Sequence, residues 1–418
     1  MKKSFNVTGL CISEKHYMVD LTDRISQIRK MVDAGDYFTI NCARQYGKTT
    51  TLTALAKALD QDYLVVSLDF QVLGSAAFQN ENAFSLAFLK IFLREMKRQE
   101  NKIIAMEELI AEMQEAFQRR DGRFDLLALF EYLLSVCGDS EKALVLMIDE
   151  VDSASTHQVF LDFLAQLRSY YLERDTKGTK TFHSVILAGV YDVKNLKRKL
   201  RSEDEHKRTS PWNIAADFDV EMSLSEQGIA GMLREYEEEC HTGMDIEELA
   251  GLLYHYTSGY PYLVSRLCKL MDEKICSTDI WKQSSDRGKA SAAVAEKYST
   301  EISGHSQNVW TKNSFLEAVR MLLSENNMLF ESLIGKLSDY PELNRMLREL
   351  LFLGKSITYS PTNPAINLAS MFGFIKNESG KAVPANRIFD TLLYNHFLSE
   401  DEIHSLEIYK ASLQDKRK

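Results

Sequence analysis

Proline is scarce in this chain, with 6 in 418 residues, and glycine is modest at 19. That composition excludes collagen-like, low-complexity and long-linker architectures, which need far more of both. Cysteine is sparse too. Cys11, Cys42, Cys137, Cys240, Cys268 and Cys276 never fall at C-x-x-C spacing, and no histidine cluster completes a zinc set. A structural metal centre is therefore not expected. No stretch approaches the ~20 apolar residues of a membrane span. The N-terminal MKKSFNVTGLCISEKHYMVD has no apolar run behind its lysines, so a signal peptide is not expected either. These absences point to a reducing cytoplasm and to no membrane partner. Excess positive charge is also missing. The 50 Lys+Arg face 60 Asp+Glu, a net charge of -10, which excludes a broadly basic nucleic-acid coat and leaves room only for a local patch.

What is present is ample core material: 45% of residues are hydrophobic and 26% charged, enough for two or three domains. From about residue 17 to 195, short apolar runs alternate with helical patterns. YFTIN (37–41), YLVVSLDF (63–70), ALVLMIDE (143–150) and HSVILAGV (183–190) read as strands covered on both faces. Between them, TTLTALAKAL, FSLAFLKIFLREM, IIAMEELIAEM, FDLLALFEYLLSV and VFLDFLAQLRSYYL read as helices. Strand alternating with helix predicts a doubly wound α/β domain with a parallel sheet.

The strand signal stops near residue 222. SLSEQGIAGMLREYEEE carries Ser223 three residues before Glu226, the spacing of a capping box, and MDIEELAGLLYHYTSG and YPYLVSRLCKLMDEKI follow as further helices of a small lid. KQSSDRGKASAAVAEKYSTE is polar and marks a boundary. Beyond about 310, helices NSFLEAVRMLL, NMLFESLIGKL and PELNRMLRELLFLG precede KSITYS and the helix NPAINLASMF. GFIKN-ESG-KAVPA then reads as a hairpin around a Glu-Ser-Gly turn, and NRIFDTLLYNHFL returns to helix. Helices followed by a hairpin are the layout of a winged helix. The expected organisation is a core over 1–215, a helical lid over 216–290, a winged-helix-like domain over 291–400 and a tail over 401–418.

CARQYGKTT (42–50) lies between the first strand and the first helix of that core. Tyr46, Gly47, Lys48 and Thr49 meet the last four positions of G-x-x-x-x-G-K-[ST], and Cys42 replaces the first glycine. Gly47 lets backbone approach a phosphate, while the N–H groups of Cys42, Ala43, Arg44, Gln45 and Thr50 and the helix N-terminus supply positive potential. Lys48 can reach the β and γ phosphates, and the Thr49 hydroxyl can ligate Mg²⁺. Cys42 implies either that the loop needs no positive φ at its start or that it is shaped differently from the common form.

The strand ALVLMIDEVD ends in Asp149, Glu150 and Asp152. An acid at the carboxyl end of a strand beside a phosphate loop can hold Mg²⁺, which is Asp149's expected role. Glu150, turned to the other side, can polarise the attacking water. Asp152 reads more simply as the cap of the next helix. One further strand separates the two motifs in sequence, an order that fits the large P-loop (ASCE) division with a catalytic Glu after the metal Asp. No Asn-Lys-x-Asp segment, the guanine-reading motif, occurs, which favours ATP.

HYMVDLTDRISQI, YFTINCARQYGKTTTL, MIDEVD, FLDFLAQLRSYYLERD, SPWNIAADF and TSGYPYLVSRLC together resemble the bacterial AAA-like ATPases related to archaeal-type P-loop ATPases, a group similar to the AAA+ and STAND ATPases. The resemblance covers about residues 5 to 400. It implies a P-loop ATPase fold using ATP and Mg²⁺. Many members of related groups carry a C-terminal nuclease-like domain; this chain is expected to stop after NRIFDTLLYNHFL, so nuclease activity is not carried over from the resemblance. In such proteins HYMVD would bring Tyr17 or Val19 against the adenine; packing ahead of the first helix explains these residues equally well. Pro261, in a Gly-x-Pro turn, would lie over the nucleotide, although Gly259 and Pro261 also simply end one helix and start another. Arg266 occupies the lid helix where AAA+ relatives keep a sensing arginine, and Tyr191 or Asp192 falls where they keep a polar sensor, the usual Asn or Thr being absent. Arg44, Arg168 and Arg174 are further candidates for charge on the γ-phosphate, and each is also readable as a structural arginine.

Lys194, Lys197, Arg198, Lys199, Arg201, Lys207 and Arg208 form a basic run that could meet nucleic-acid phosphates or a neighbouring subunit; Glu203, Asp204 and Glu205 balance it as a solvated face. From residue 327 onward the chain has eleven Lys/Arg and eleven Asp/Glu, a neutrality that tilts the C-terminal domain toward protein partners. Two functions stand. One is a Mg-dependent ATPase that does conformational work on nucleic acid or a protein partner, with nucleotide-dependent homo-oligomerisation. The other is a STAND-like switch that hydrolyses slowly and signals through its C-terminal domain.

Overall fold

The computed structural model describes residues 2–98, 111, 115, 124–190, 212–275 and 310–405. The chain forms two compact units, one of Leu21–Ala43 and Lys48–Met222, the other of Met1–Asp20, Arg44–Gly47 and Ser223–Lys418.

The first unit is α/β. Its strands are β1 (Tyr37–Asn41), β2 (Leu64–Asp69), β3 (Leu144–Asp149) and β4 (Ser184–Gly189), and they form one parallel sheet in the order β1-β4-β3-β2. The four expected runs are thus the four strands. β3 and β4 are buried at every residue, whereas edge strand β2 exposes Ser67 and Asp69. Continuous apolar runs occupy the sheet's interior because helices cover both of its faces, so neither face needs polar side chains. On the far side of β1, Ala216 N–H donates to the Tyr37 carbonyl, starting a fifth parallel position.

Local chemistry sets the helix limits. α1 is Thr22–Asp33 and α2, Lys48–Leu59, rises directly from the phosphate loop. α3 (Glu81–Lys97) is capped by Asn80, whose Oδ1 accepts the Ala83 N–H at 2.9 Å, and α4 (Leu126–Asp139) by Asp125 in the same way. α5 (Gln158–Lys177) stops at Gly178, φ 68°, a backbone conformation that glycine adopts without a Cβ penalty. Phe84, Phe88, Phe92, Phe130, Phe160 and Phe163 from these helices fill one core with β2 and β3. Each such burial contributes about 1.5–3 kcal/mol. The helix expected over IIAMEELIAEM falls almost wholly outside the described residues.

The second unit is helical with one hairpin. α6 is Glu226–Cys240, and its N-cap is Ser225, whose Oγ accepts the Gly228 N–H at 3.0 Å. This corrects the capping box expected at Ser223. The Leu224 N–H is bonded to the Gly259 carbonyl at 2.8 Å, which holds residue 224 out of the helix and moves the start two residues on. α7 (Ile246–Thr257) ends where Ser258 and Gly259 turn left-handed at φ 47° and 71°. A Cβ on Gly259 would lie 2.0 Å from the Leu224 carbonyl oxygen, so glycine is required there. Pro261 then opens α8 (Pro261–Leu270), the break expected at this turn.

α9 (Lys312–Ser324), α10 (Met328–Asp339), α11 (Pro341–Phe352) and α12 (Pro364–Met371) follow. The expected hairpin is β5 (Ile375–Glu378) with β6 (Lys381–Pro384), joined by Ser379 and Gly380, both at positive φ. Such a two-residue turn matches the twist of its strands. The KSITYS run adds one antiparallel bridge, Thr358 to Lys381. α13 (Arg387–Ser405) closes the described chain. No helix among the described residues is long and apolar enough to cross a membrane.

Candidate functional site: the phosphate loop and the acidic strand end

The loop leaves β1 beside β4. Asn41 pairs with Gly189, and the Cys42 N–H donates to the Gly189 carbonyl at 3.2 Å. Cys42 thus extends the strand ladder. The positive φ values come later, at Gln45 (57°) and Gly47 (82°), which explains why the first glycine of the usual pattern is dispensable here. Burial pushes the Cys42 thiol up to about 11, against the opposing pull of the Lys48 ammonium.

Lys48 is buried, and its Nζ donates to the carbonyls of Cys42 at 2.9 Å and Ala43 at 3.0 Å. One residue on, the Thr49 hydroxyl donates to Asp149 Oδ2 at 2.6 Å. The other carboxylate oxygen, Oδ1, accepts the Glu150 N–H at 2.9 Å. Both oxygens of a buried aspartate are therefore fixed, one by the first turn of α2 and one by the residue that follows β3. The structure thus joins the two motifs that the sequence placed about a hundred residues apart.

Glu150 itself is left-handed, φ 54° and ψ 40°, directly before a 3₁₀ turn over Val151–Ser153. A non-glycine residue there costs on the order of 1 kcal/mol and is found where structure around it enforces the geometry, commonly at functional sites. Asp152 is not the cap of α5; His157 holds that position. Its carboxylate accepts the Val190 N–H, at 3.0 Å from Oδ1 and 2.8 Å from Oδ2, tying the turn after Glu150 to the end of β4. The fit is close, since a Cβ on Gly189 would lie 2.8 Å from Asp152 Oδ1. Asp152→Ala leaves a partly buried N–H without its acceptor and is expected to cost about 1–3 kcal/mol, measured as a shift of the urea midpoint.

The arginines divide. Arg174 donates to the Gly35 and His183 carbonyls, both at 3.0 Å, and lies over the Tyr171 ring, so it is structural. Arg168 Nε bonds Asn213 Oδ1 at 2.7 Å. Arg266 forms a forked pair with Glu325, with N···O distances of 2.6–3.0 Å. Arg44 is exposed. Tyr17 is buried against Phe5 and Tyr236, its hydroxyl bonded to Glu239, and that burial and the neighbouring carboxylate raise its pKa. Val19 is buried, close to Gly228. Tyr191, Asp192 and the basic run at 194–208 lie outside the described residues.

Sequence reasoning missed Tyr260, one residue before Pro261. Its hydroxyl donates to the Arg44 carbonyl, and its ring meets Tyr46 edge-on with centroids 4.6 Å apart. Nothing in TSGYP signals a partner more than 200 positions away.

Among solved structures, a Walker-type ATPase of Pyrococcus abyssi is similar at 11% identity, covering 93% of this chain and 99% of its own, with a TM-score of 0.59. Cdc6p of Pyrobaculum aerophilum (12% identity, 91% and 94% covered) and the ORC2 protein of Aeropyrum pernix (13%, 93% and 96%) score 0.37 and 0.38. No curated protein matches at a significant level. The Pyrococcus likeness establishes a P-loop ATPase fold, a parallel sheet with flanking helices. The AAA-like domain family matches residues 13–332, and the chain belongs to that family.

Proposed function

We propose that the chain is a Mg-dependent ATPase that couples ATP binding and hydrolysis to conformational change on a partner. The observation that carries this reading is the bond between Thr49 and Asp149, 2.6 Å long, with Lys48 and Glu150 on either side of it. Among the described residues no three His, Cys, Asp or Glu side chains group into a metal cage. A hydroxyl and a carboxylate are hard oxygen donors, however, and they suit Mg²⁺, which keeps most of its shell as water and substrate phosphate. Thr49 and Asp149 would hold the ion, and when bound it supplies charge neutralisation on the phosphates.

The chain's own groups do the rest. Lys48 Nζ leaves two neutral carbonyls for phosphate oxygens, stronger partners because both donor and acceptor are then charged. The backbone N–H groups of the loop and the N-terminus of α2 add positive potential. Glu150 accepts a proton from the attacking water at its carboxylate. The similar Pyrococcus protein is named a Walker-type ATPase, which agrees with this assignment.

The neutral C-terminal region favours a protein partner over nucleic acid, with assembly of further copies on ATP as an additional outcome. A slow, STAND-like switch is the second reading, favoured by the attachment of the phosphate loop to Tyr260. ATP turnover measured with and without DNA separates the readings. An ATPase working on nucleic acid is expected to be stimulated. A protein-directed motor turns over without DNA response, and a switch shows very slow turnover under both conditions.

A further inference from the structure

The turn between α7 and α8 has two sides. On one, Tyr260 holds the phosphate loop twice, through the Arg44 carbonyl and the Tyr46 ring. On the other, the same ring packs edge-on against Phe389 of α13, with centroids 5.3 Å apart at 78°. Two further contacts join that side. Lys376 of β5 donates to the Ser258 hydroxyl at 3.2 Å, and Arg387 of α13 lies 3.0 Å from His255 Nε2.

Resting on the nucleotide reading above, we propose that Tyr260 is a positioning residue that links the state of the phosphate loop to the C-terminal hairpin and α13. In a trans peptide the carbonyl of Arg44 and the N–H of Gln45 point in opposite directions. Fixing the carbonyl on Tyr260 therefore fixes the Gln45 N–H facing away from Tyr260. Gln45 is one of the two left-handed positions of the loop, and a flip of this plane would return its φ to the negative region that a side chain prefers. The turn has little freedom to absorb such a flip, because Gly259 is packed against the Leu224 backbone with no room for even a Cβ. A change at Arg44 is passed on to Phe389.

The test is amide hydrogen exchange of the hairpin 375–384 in the full chain, with and without saturating ATP, in wild type and Tyr260→Phe. The phenylalanine keeps both ring contacts and removes only the hydroxyl. Wild type is expected to change its hairpin exchange on ATP addition. Tyr260→Phe is expected to bind ATP about three- to tenfold more weakly, as loss of one hydrogen bond gives, and at saturation to lose most of that change. A purely structural tyrosine would lower protection with and without ATP alike and leave the response to ATP intact. That result, or a wild-type hairpin unmoved by bound ATP, overturns the link. Should wild type bind no ATP, the nucleotide reading itself fails, and the titration shows it before any exchange is measured. Arg387→Ala, on the hairpin side, provides a second arm. It is expected to shift ATP affinity in wild type but not in Tyr260→Phe, because coupling is reciprocal. Equal shifts in both backgrounds contradict the proposal.

Discussion

Lys48→Ala is expected to weaken ATP binding by about 2–5 kcal/mol, roughly 30-fold to several thousandfold, as removal of one partner of a desolvated charge pair does. Lys48 is buried and donates hydrogen bonds to two backbone carbonyls. A buried ammonium is poorly compensated by neutral acceptors and gains most from an anion. Two charge-assisted hydrogen bonds are lost while the cost of burying a cation is relieved, and the two terms offset, so the nucleotide-free variant is expected to stay within about 1 kcal/mol of wild type. Calorimetric titration with ATP and urea unfolding without it check the two halves. Loss of binding accompanied by a large loss of stability would mean that Lys48 is a structural group.

Glu150→Gln separates binding from hydrolysis. The amide preserves size, the left-handed backbone and the N–H that Asp149 Oδ1 accepts at 2.9 Å. What it loses is the proton-accepting oxygen. Removal of a general base costs about 10²–10⁴ in rate. Single-turnover hydrolysis is therefore expected to slow by that factor while the ATP dissociation constant moves by no more than about threefold. Normal turnover in Glu150→Gln would transfer the water-activating role to another residue.

Much of the α/β unit was legible in the sequence because buried parallel strands leave a plain signal. YFTIN, LVVSLD, LVLMID and SVILAG are dominated by buried apolar residues, and each is a strand. The pairing of Thr49 with Asp149 was legible as well, since strand-loop-helix and strand-acid patterns each say which end of a strand the chemistry occupies. Contacts that depend on where two distant backbones meet were not legible. Ser223 has the spacing of a capping box, yet a bond from Leu224 to Gly259 makes Ser225 the cap. Asp152 has the composition of a helix cap and instead holds Val190. Tyr260 is an ordinary aromatic until its hydroxyl is seen on Arg44. In the first two cases local propensity was overruled, and in all three the deciding partner is a backbone group far along the chain.

The most direct measurement is a structure of Glu150→Gln with ATP and Mg²⁺. The expected result is a triphosphate seated on residues 42–50, with Lys48 Nζ moved from the carbonyls of Cys42 and Ala43 onto its oxygens and the ion beside Thr49 and Asp149. Nucleotide bound elsewhere at saturating ATP, with Lys48 still on those two carbonyls, would contradict the account.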